Sequence, residues 1–340
     1  MALVSDPETQ KAIENELEIV KKTLSEKVEG SEIISCHPVA VNVRITRTKF
    51  KNVIVLLQFP EQYPNNGILV ELKSKTLPPR LLSKMMELCD QEAKKFSGKP
   101  QVIPMLIFVR RFLDENPLIA CSDELQYIKS KLLSDSDELK IKQKAGVLNI
   151  HINQDKYYLD VKITVPDDYH TSAIKIDLKD SNFPENLVRV FIGQAVDMAR
   201  TCVEAPLRRK PKDPPFEPKP SLKLVCDFLV DQCARPCPKE RCPICQKKAL
   251  PEEPKEAVTE PTDHQYVERV YCNHLFHYGC LDKYMKTPPF QGGKKCPACK
   301  QVIYHDRWKV TPKLAEERWA HHEAKKRELS EVVDFLGDCL

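Results

Sequence analysis

Eight cysteine and histidine residues in the last third of the chain limit its possible folds more than any other feature. They are Cys242, Cys245, Cys272, His274, His277, Cys280, Cys296 and Cys299. Their spacing is C-x2-C, x26, C-x1-H-x2-H-x2-C, x15, C-x2-C. Structural zinc takes four nitrogen or sulfur ligands, and a C-x2-C turn supplies two of them. Eight ligands therefore predict two closed zinc sites without an open coordination position.

The central segment CNHLFHYGC (272–280) carries four of these eight residues. Cys272 and His274 are separated by one residue, which suits a strand, whereas His277 and Cys280 suit the start of a helix. The two pairs are therefore expected to serve different zinc ions. A sequential pairing of neighbouring ligands is the competing arrangement, and core packing without metal is the alternative that needs no zinc.

The 14 cysteines are clustered, because nine of them lie between Cys226 and Cys299. The N-terminus, MALVSDPETQ, lacks the apolar run of an export signal, and no apolar run approaches the length of a membrane helix. We expect a cytoplasmic location, with the nucleus as an additional one, and no membrane association. In a reducing compartment, clustered cysteines indicate metal ligands rather than disulfides.

Charge and the remaining cysteines suggest little further chemistry. The formal net charge is only +4, which disfavours a nucleic-acid binder. Free thiols are expected at positions outside the eight-ligand pattern: Cys36, Cys89, Cys121, Cys202, Cys233 and Cys237. A third zinc held by the last two with His264 or Cys226 is the alternative.

An internal repeat spans the first two thirds of the chain. Residues 59–81 align with residues 165–187 without a gap, at an offset of 106. The matched pairs are Pro60/Pro166, Tyr63/Tyr169, Ile68/Ile174, Leu72/Leu178, Lys73/Lys179, Pro78/Pro184 and Leu81/Leu187. Alternating apolar residues before each segment predict strands, and amphipathic patterns predict helices at about 8–28, 81–96, 105–113, 123–134 and 187–202. Each copy is therefore expected to be an α+β sandwich with one covered sheet face.

This arrangement resembles the RWD domain, a relative of the ubiquitin-conjugating fold without its catalysis. The first copy has the Tyr-Pro of that family at Tyr63 and Pro64, although Ile68 replaces its second proline; the second copy has His170 after Tyr169. The predicted domains are a first RWD domain (1–118), a second (119–205), a proline-rich basic linker (206–220), a zinc finger with a lead-in helix (221–305) and a C-terminal amphipathic helix (306–340).

The spacing of the eight ligands resembles the RING-H2 finger, which implies cross-braced ligation. Site one then comprises Cys242, Cys245, His277 and Cys280, and site two comprises Cys272, His274, Cys296 and Cys299. RING fingers are ubiquitin ligases that position a ubiquitin-charged conjugating enzyme (E2) without a covalent step of their own. The resemblance implies E2 docking by Ile244, Tyr284 and Pro297. Lys300 replaces the arginine that bridges E2 and ubiquitin in the strongest ligases, which predicts weaker activation.

The combination of these domains resembles the ring finger protein twenty-five family of ligases, and the doubled RWD resembles the Fanconi-anaemia ligase subunit family. These resemblances imply a ligase that binds E2 and ubiquitin and recruits a substrate or adaptor through its RWD domains. The alternative is a non-catalytic zinc-stabilised scaffold in the same pathway. The sequence pattern predicts a helix over residues 312–337. Residues spaced three or four positions apart form a stripe along it: Ala315, Trp319, His322, Lys326, Leu329, Val333 and Leu336. This stripe either packs on the protein's own surface or docks on the E2.

Overall fold

The computed structural model describes residues 7–206, 214–308 and 310–337, with only the backbone for Asp306 and residues 334–337. Most of the basic part of the predicted linker (207–213) and the side chain of Leu336 lie outside this description. Contacts divide the chain into two compact units. The first comprises Met1–Ile150, Val161–Asp177 and Val196–Cys226, and the second His151–Asp160, Leu178–Ala195 and Asp227–Leu340.

The first α+β copy contains three helices and a four-stranded sheet. Its elements are α1 (Pro7–Lys27), β1 (Ser31–Cys36), β2 (Ala40–Thr48), β3 (Lys51–Gln58), β4 (Leu69–Lys73), α2 (Pro79–Ala93) and α3 (Val102–Glu115). The strands lie in the order β1-β2-β3-β4, and every neighbouring pair is antiparallel. These elements confirm the helices and strands predicted for this part of the chain.

The core of this copy follows from its two apolar periodicities. Alternate residues of β3 (Val53, Val55 and Leu57) are fully buried on one face of the sheet. In α1 the buried apolar residues, spaced at three or four positions, are Ile13, Leu17, Val20 and Leu24. Both sets belong to one hydrophobic cluster that also includes apolar residues of α2 and α3. The three helices therefore cover the same face of the sheet.

The second copy repeats this order of elements. They are α4 (Ser122–Tyr127), continued by a π turn (Ile128–Leu132), then β5 (Glu138–Lys142), β6 (Val147–Gln154), β7 (Tyr157–Thr164), β8 (Lys175–Ser181) and α5 (Glu185–Val203). The sheet order is β5-β6-β7-β8. Asp155, in the turn between β6 and β7, has a φ of 56°, as tight hairpins require. The order of helices and strands is thus similar in the two copies.

Two equivalent buried tyrosines reveal how far the repeat extends. In the first copy, the Tyr63 hydroxyl donates to Glu16 of α1 and accepts from the Gln101 N–H at 2.9 Å, at the start of α3. In the second, the Tyr169 hydroxyl donates to Glu124 of α4 at 2.8 Å. It also accepts, at 2.8 Å each, from the N–H groups of Ser221 and Leu222. Each tyrosine therefore joins the first helix of its copy to the N-terminus of another helix.

The hydrogen bonds of Tyr169 show that the predicted lead-in helix also belongs to the second α+β copy. Leu222–Asp227 (α6), continued by a π turn (Phe228–Ala234), begins where Tyr169 and Glu124 hold its first N–H groups. It therefore occupies the place in the second copy that α3 occupies in the first. The domain boundaries derived from the sequence stay predictions.

An ion-pair cluster within the first unit connects the two repeats. The ammonium group of Lys51 is fully buried and lies 2.6 Å from the Asp167 carboxylate. Arg47 contacts the same carboxylate at 2.8 Å and also pairs with Asp114. Burial opposes ionisation of Asp167, but these two cations outweigh it and lower its pKa.

The finger lies in the second unit and has little regular structure. Its elements are β9 (Val267–Arg269), β10 (Leu275–His277) and α7 (Tyr278–Lys286), and the two strands are antiparallel. The predicted C-terminal helix is present as α8 (Pro312–Gly337). On its stripe Ala315 and Trp319 are half-buried, whereas Leu329 and Val333 are exposed. No helix within the described residues is both long and apolar enough to cross a membrane.

We expect Tyr169→Phe to destabilise the first unit. The change leaves a buried carboxylate and two helix-start N–H groups without their shared partner, which costs about 1–3 kcal/mol. Chemical denaturation followed by circular dichroism would measure the loss. Tyr158→Phe is the matched control, because the Tyr158 hydroxyl donates to the exposed Asp180. Equal effects of the two variants would contradict the bridging role of Tyr169.

Candidate metal centres

The first metal cluster joins the start of the finger to its helix. Cys242 and Cys245 lie in the first C-x2-C turn, His277 ends β10, and Cys280 lies in the first turn of α7. Their ligand atoms all lie within 4.8 Å of one another, and Cys245 Sγ is 3.3 Å from His277 Nδ1. These separations, together with three thiols and one imidazole, are compatible with a tetrahedral zinc ion.

The second metal cluster interleaves with the first along the chain. Cys272 and His274 precede β10, and Cys296 and Cys299 form the second C-x2-C turn. These four ligand atoms also lie within 4.8 Å of one another. His274 Nδ1 is 3.4 Å from Cys272 Sγ and 3.7 Å from Cys296 Sγ. The two clusters contain the same residues as the two predicted cross-braced sites, so the sequential pairing is not formed.

Both C-x2-C turns adopt the same backbone geometry. The Cys242 carbonyl accepts from the N–H of Gln246 at 2.9 Å, and the Cys296 carbonyl accepts from the N–H of Lys300 at 2.8 Å. Gln246 and Lys300, each directly after the second cysteine, have φ values of 61° and 64°. A left-handed backbone conformation at this position closes the turn, and both thiols of the pair then point toward the same metal position.

The orientation of His277 is fixed by a backbone carbonyl. Its Nε2 lies 3.1 Å from the carbonyl oxygen of Lys248, which can only accept a hydrogen bond. Nε2 therefore carries the proton, and Nδ1 presents its lone pair to the cysteine thiols. This is the form in which a histidine binds zinc, since neutral imidazole and thiolate are the ligating forms.

The glycine of CNHLFHYGC has a steric role. A Cβ at Gly279 would lie 2.0 Å from Nδ1 of the His264 ring, which is shorter than any real contact. The N–H of Gly279 donates to the carbonyl of His264 at 3.1 Å. Glycine thus permits the loop before β9 to lie directly against the start of α7. His264 therefore packs beside the finger helix, and it belongs to neither cluster.

The predicted docking residues surround the metal centres. Ile244 lies between the first two cysteines and Tyr284 lies on α7; both are half-buried against the small core of the finger. Pro297, between Cys296 and Cys299, is also half-buried, and Lys300 is exposed. The Lys300 ammonium group donates to the Pro297 carbonyl at 3.0 Å. Contact of these residues with an E2 stays a prediction.

Lys294 is a residue that sequence reasoning missed. Its side chain is buried, its ammonium group lies 4.6 Å from the Tyr284 ring centroid, and it donates to the Thr287 carbonyl at the end of α7. A cation at a helix C-terminus opposes the partial negative charge of the last carbonyls. The Tyr284 hydroxyl donates to the Lys295 carbonyl at 2.8 Å. Nothing in the sequence GGKKC distinguishes this buried lysine from its exposed neighbour.

The other cysteines are structural by environment. Burial raises the pKa of Cys89 to about 12, and burial also raises the pKa values of Cys36, Cys121 and Cys202. High pKa values leave these thiols protonated and unreactive at neutral pH. Cys233 and Cys237 are fully buried. Within the part of the chain that the structure describes, the groups able to share a metal are the two clusters above, so the third zinc receives no support.

A buried arginine connects the finger to the segment before it. Arg269 of β9 donates to the Gln232 carbonyl at 2.9 Å and to Cys233 Sγ at 3.3 Å. Its guanidinium group lies 4.9 Å from the Phe191 ring centroid and 5.8 Å from that of Phe228. Planar guanidinium suits such stacking, so Cys233 serves as a buried hydrogen-bond partner rather than a ligand.

Comparisons with known proteins agree with this geometry. Residues 242–299 match the family described as zinc finger, C3HC4 type (RING finger). The chain has a histidine, His277, at the fifth ligand position, where the C3HC4 pattern has cysteine. Comparison with curated proteins gives no significant match. A RING finger domain with two clusters compatible with zinc is therefore present in this chain.

We expect the purified protein to contain about two zinc ions per chain, because each closed cluster supplies four ligands. Cys272→Ser should lower this content toward one. Elemental analysis by mass spectrometry after exhaustive dialysis measures it. Cys237→Ala is the control, since Cys237 is more deeply buried than Cys272 but belongs to neither cluster. A zinc content unchanged in Cys272→Ser, or lowered in Cys237→Ala, would contradict the assignment.

Proposed function

We propose that this chain is a RING-type E3 ubiquitin ligase that docks a ubiquitin-charged E2 and promotes direct transfer to a substrate lysine. The observation that carries the proposal is the placement of Ile244, Tyr284 and Pro297 on the metal-held framework. Ile244 and Pro297 lie inside the two C-x2-C turns, and Tyr284 lies on the helix that follows Cys280. Apolar groups left half-exposed at a zinc framework favour a protein partner.

The proposed chemistry is positioning rather than covalent catalysis. A RING finger binds the E2–ubiquitin conjugate in its reactive geometry, which converts binding energy into a lower activation barrier. The chain itself then needs no nucleophile. The raised pKa values of Cys36, Cys89, Cys121 and Cys202 support this proposal, because a thioester-forming cysteine needs an accessible thiolate. Zinc, when bound, would hold the docking residues rigid.

The two α+β copies are proposed to be RWD domains that recruit a substrate or an adaptor. Support comes from the repeated sheet order and from Tyr63 and Tyr169 at equivalent buried positions. This combination is similar to the ring finger protein twenty-five family and, in its doubled RWD, to the Fanconi-anaemia ligase subunit family. We further propose that the protein acts in the cytoplasm and also in the nucleus.

The second candidate function is a non-catalytic adaptor in the ubiquitin pathway. It is favoured by Lys300, which lacks the forked donors with which arginine can bridge two proteins. The ammonium group of Lys300 is moreover directed to the Pro297 carbonyl of its own turn. The intact set of Ile244, Tyr284 and Pro297 nevertheless favours the ligase.

We expect Ile244→Ala to reduce E2 discharge. Truncating a central apolar contact of a docking surface lowers affinity by about tenfold or more. The measurement is single-turnover release of ubiquitin from a panel of charged E2 enzymes onto free lysine, with the full-length chain as activator. Zinc content should be unchanged, because the Ile244 side chain is not a ligand.

Ile34→Ala provides the matched control for this experiment. Ile34 is 46% exposed on β1 in the first unit, so the same truncation removes an exposed apolar group outside the finger. Its effect on discharge should be negligible. Failure of the native chain to stimulate any E2, or equal rates for Ile244→Ala and the native chain, would overturn the proposed mechanism.

We expect Lys300→Arg to increase discharge several-fold. Arginine retains the charge and tolerates the left-handed φ no worse than lysine, while adding a planar fork that can contact two partners at once. Lys295→Arg serves as a control at an exposed lysine on the other side of the same turn. The same discharge assay, at subsaturating E2, measures the change. A rate equal to or below that of the native chain would mean that Lys300 does not limit activation.

A further inference from the structure

A groove in the first unit lies between the start of α2, helix α4 and strand β5. Pro78, Leu81, Leu125 and Ile141 form the apolar part of its lining, and its volume is about 380 Å³. This volume is within the range of pockets that hold small ligands or single anchoring side chains. The finger and its proposed docking residues contribute nothing to it.

The apolar lining is only partly covered by the protein. Ile141 is 40% exposed on β5, the edge strand of the second sheet, and Leu81 and Leu125 are half-buried. Burying these side chains further against a partner would be favourable by roughly 25 cal/mol per Å² of apolar area. The groove therefore offers an anchoring point for one or two apolar side chains.

The rim of the groove is positively charged. Arg80, Lys84 and Lys129 line it together with a single carboxylate, that of Asp123. Arg80 donates to the neutral amide of Gln126 at 3.1 Å, and no carboxylate in the described part of the chain pairs with it inside 4.0 Å. Within the described residues, neither Lys84 nor Lys129 pairs with a carboxylate inside 4.0 Å. Three cations around an apolar surface select for a ligand that combines negative charge with an apolar group.

We propose that this groove binds a short acidic segment of a partner protein. One apolar side chain of the segment packs between Leu81, Leu125 and Ile141, and flanking carboxylates face the three cations of the rim. A purely apolar segment would make no ion pairs with the rim cations. A nucleic acid would bury little apolar surface against the lining. The inference rests on the partner-recruiting role proposed for the two α+β copies and supplies a surface for it.

Selection from a random 12-residue peptide library displayed on phage, against the full-length chain, tests the proposal. We expect enriched sequences that have two or more acidic residues beside an Ile, Leu, Val or Phe. The best synthetic peptide is then titrated by fluorescence anisotropy. Lys84→Glu/Lys129→Glu should weaken its binding at least tenfold, and Ile141→Ser should weaken it several-fold. Affinity should also fall with added salt, since exposed charges are screened.

The control is Lys11→Glu/Lys99→Glu, which changes net charge equally at two exposed lysines outside the groove. Its affinity for the peptide should match that of the native chain. The proposal is overturned by no enrichment, by a neutral or basic consensus, or by equal losses in both double variants. The assay contains neither E2 nor ubiquitin. A chain that binds the peptide but fails in discharge would refute only the ligase, and the reverse result would refute only this groove.

Discussion

The interleaving of two metal clusters is the constraint on which the finger depends. The segment 272–280 gives its first two ligands to one cluster and its last two to the other, and β10 runs between them. Each cluster therefore needs the other to fix the direction of this strand. With only two three-residue strands and one helix of nine residues, the finger buries a core too small to be stable without such cross-links.

The α+β copies depend on a different kind of cross-link. Each has a tyrosine hydroxyl that joins a carboxylate on the first helix to backbone N–H groups at the start of a later helix. Burial raises the pKa of Glu16 and of Glu124, so an unsatisfied carboxylate at either position would be costly. The hydrogen bonds from Tyr63 and Tyr169 offset that cost. The motif fixes which helix closes each sheet, and in the second copy this helix leads directly into the finger.

The metal sites could be predicted from the sequence because ligand spacing is local and the chemistry of zinc is strict. The repeat could be predicted because apolar alternation reports which strand face is buried. The partners of Glu16 and Glu124 could not be predicted, since each lies about 45 residues from its tyrosine and both resemble ordinary surface acids. Arg269 is a similar case. A charged residue on a short strand gives no signal that two phenylalanine rings and a thiol enclose it.

Lys294 shows that the position of a docking residue, here Tyr284, also depends on a buried neighbour. Tyr284 is only half-buried, so apolar packing alone fixes the position of its ring weakly. Two polar contacts add to that packing: the Tyr284 hydroxyl donates to the Lys295 carbonyl, and the Lys294 ammonium group lies against the ring face. The same ammonium group binds the last turn of α7 through Thr287. The orientation of the aromatic residue and the end of its helix are thus controlled by one buried cation, so a change at Lys294 would alter the proposed docking face without altering any residue on it.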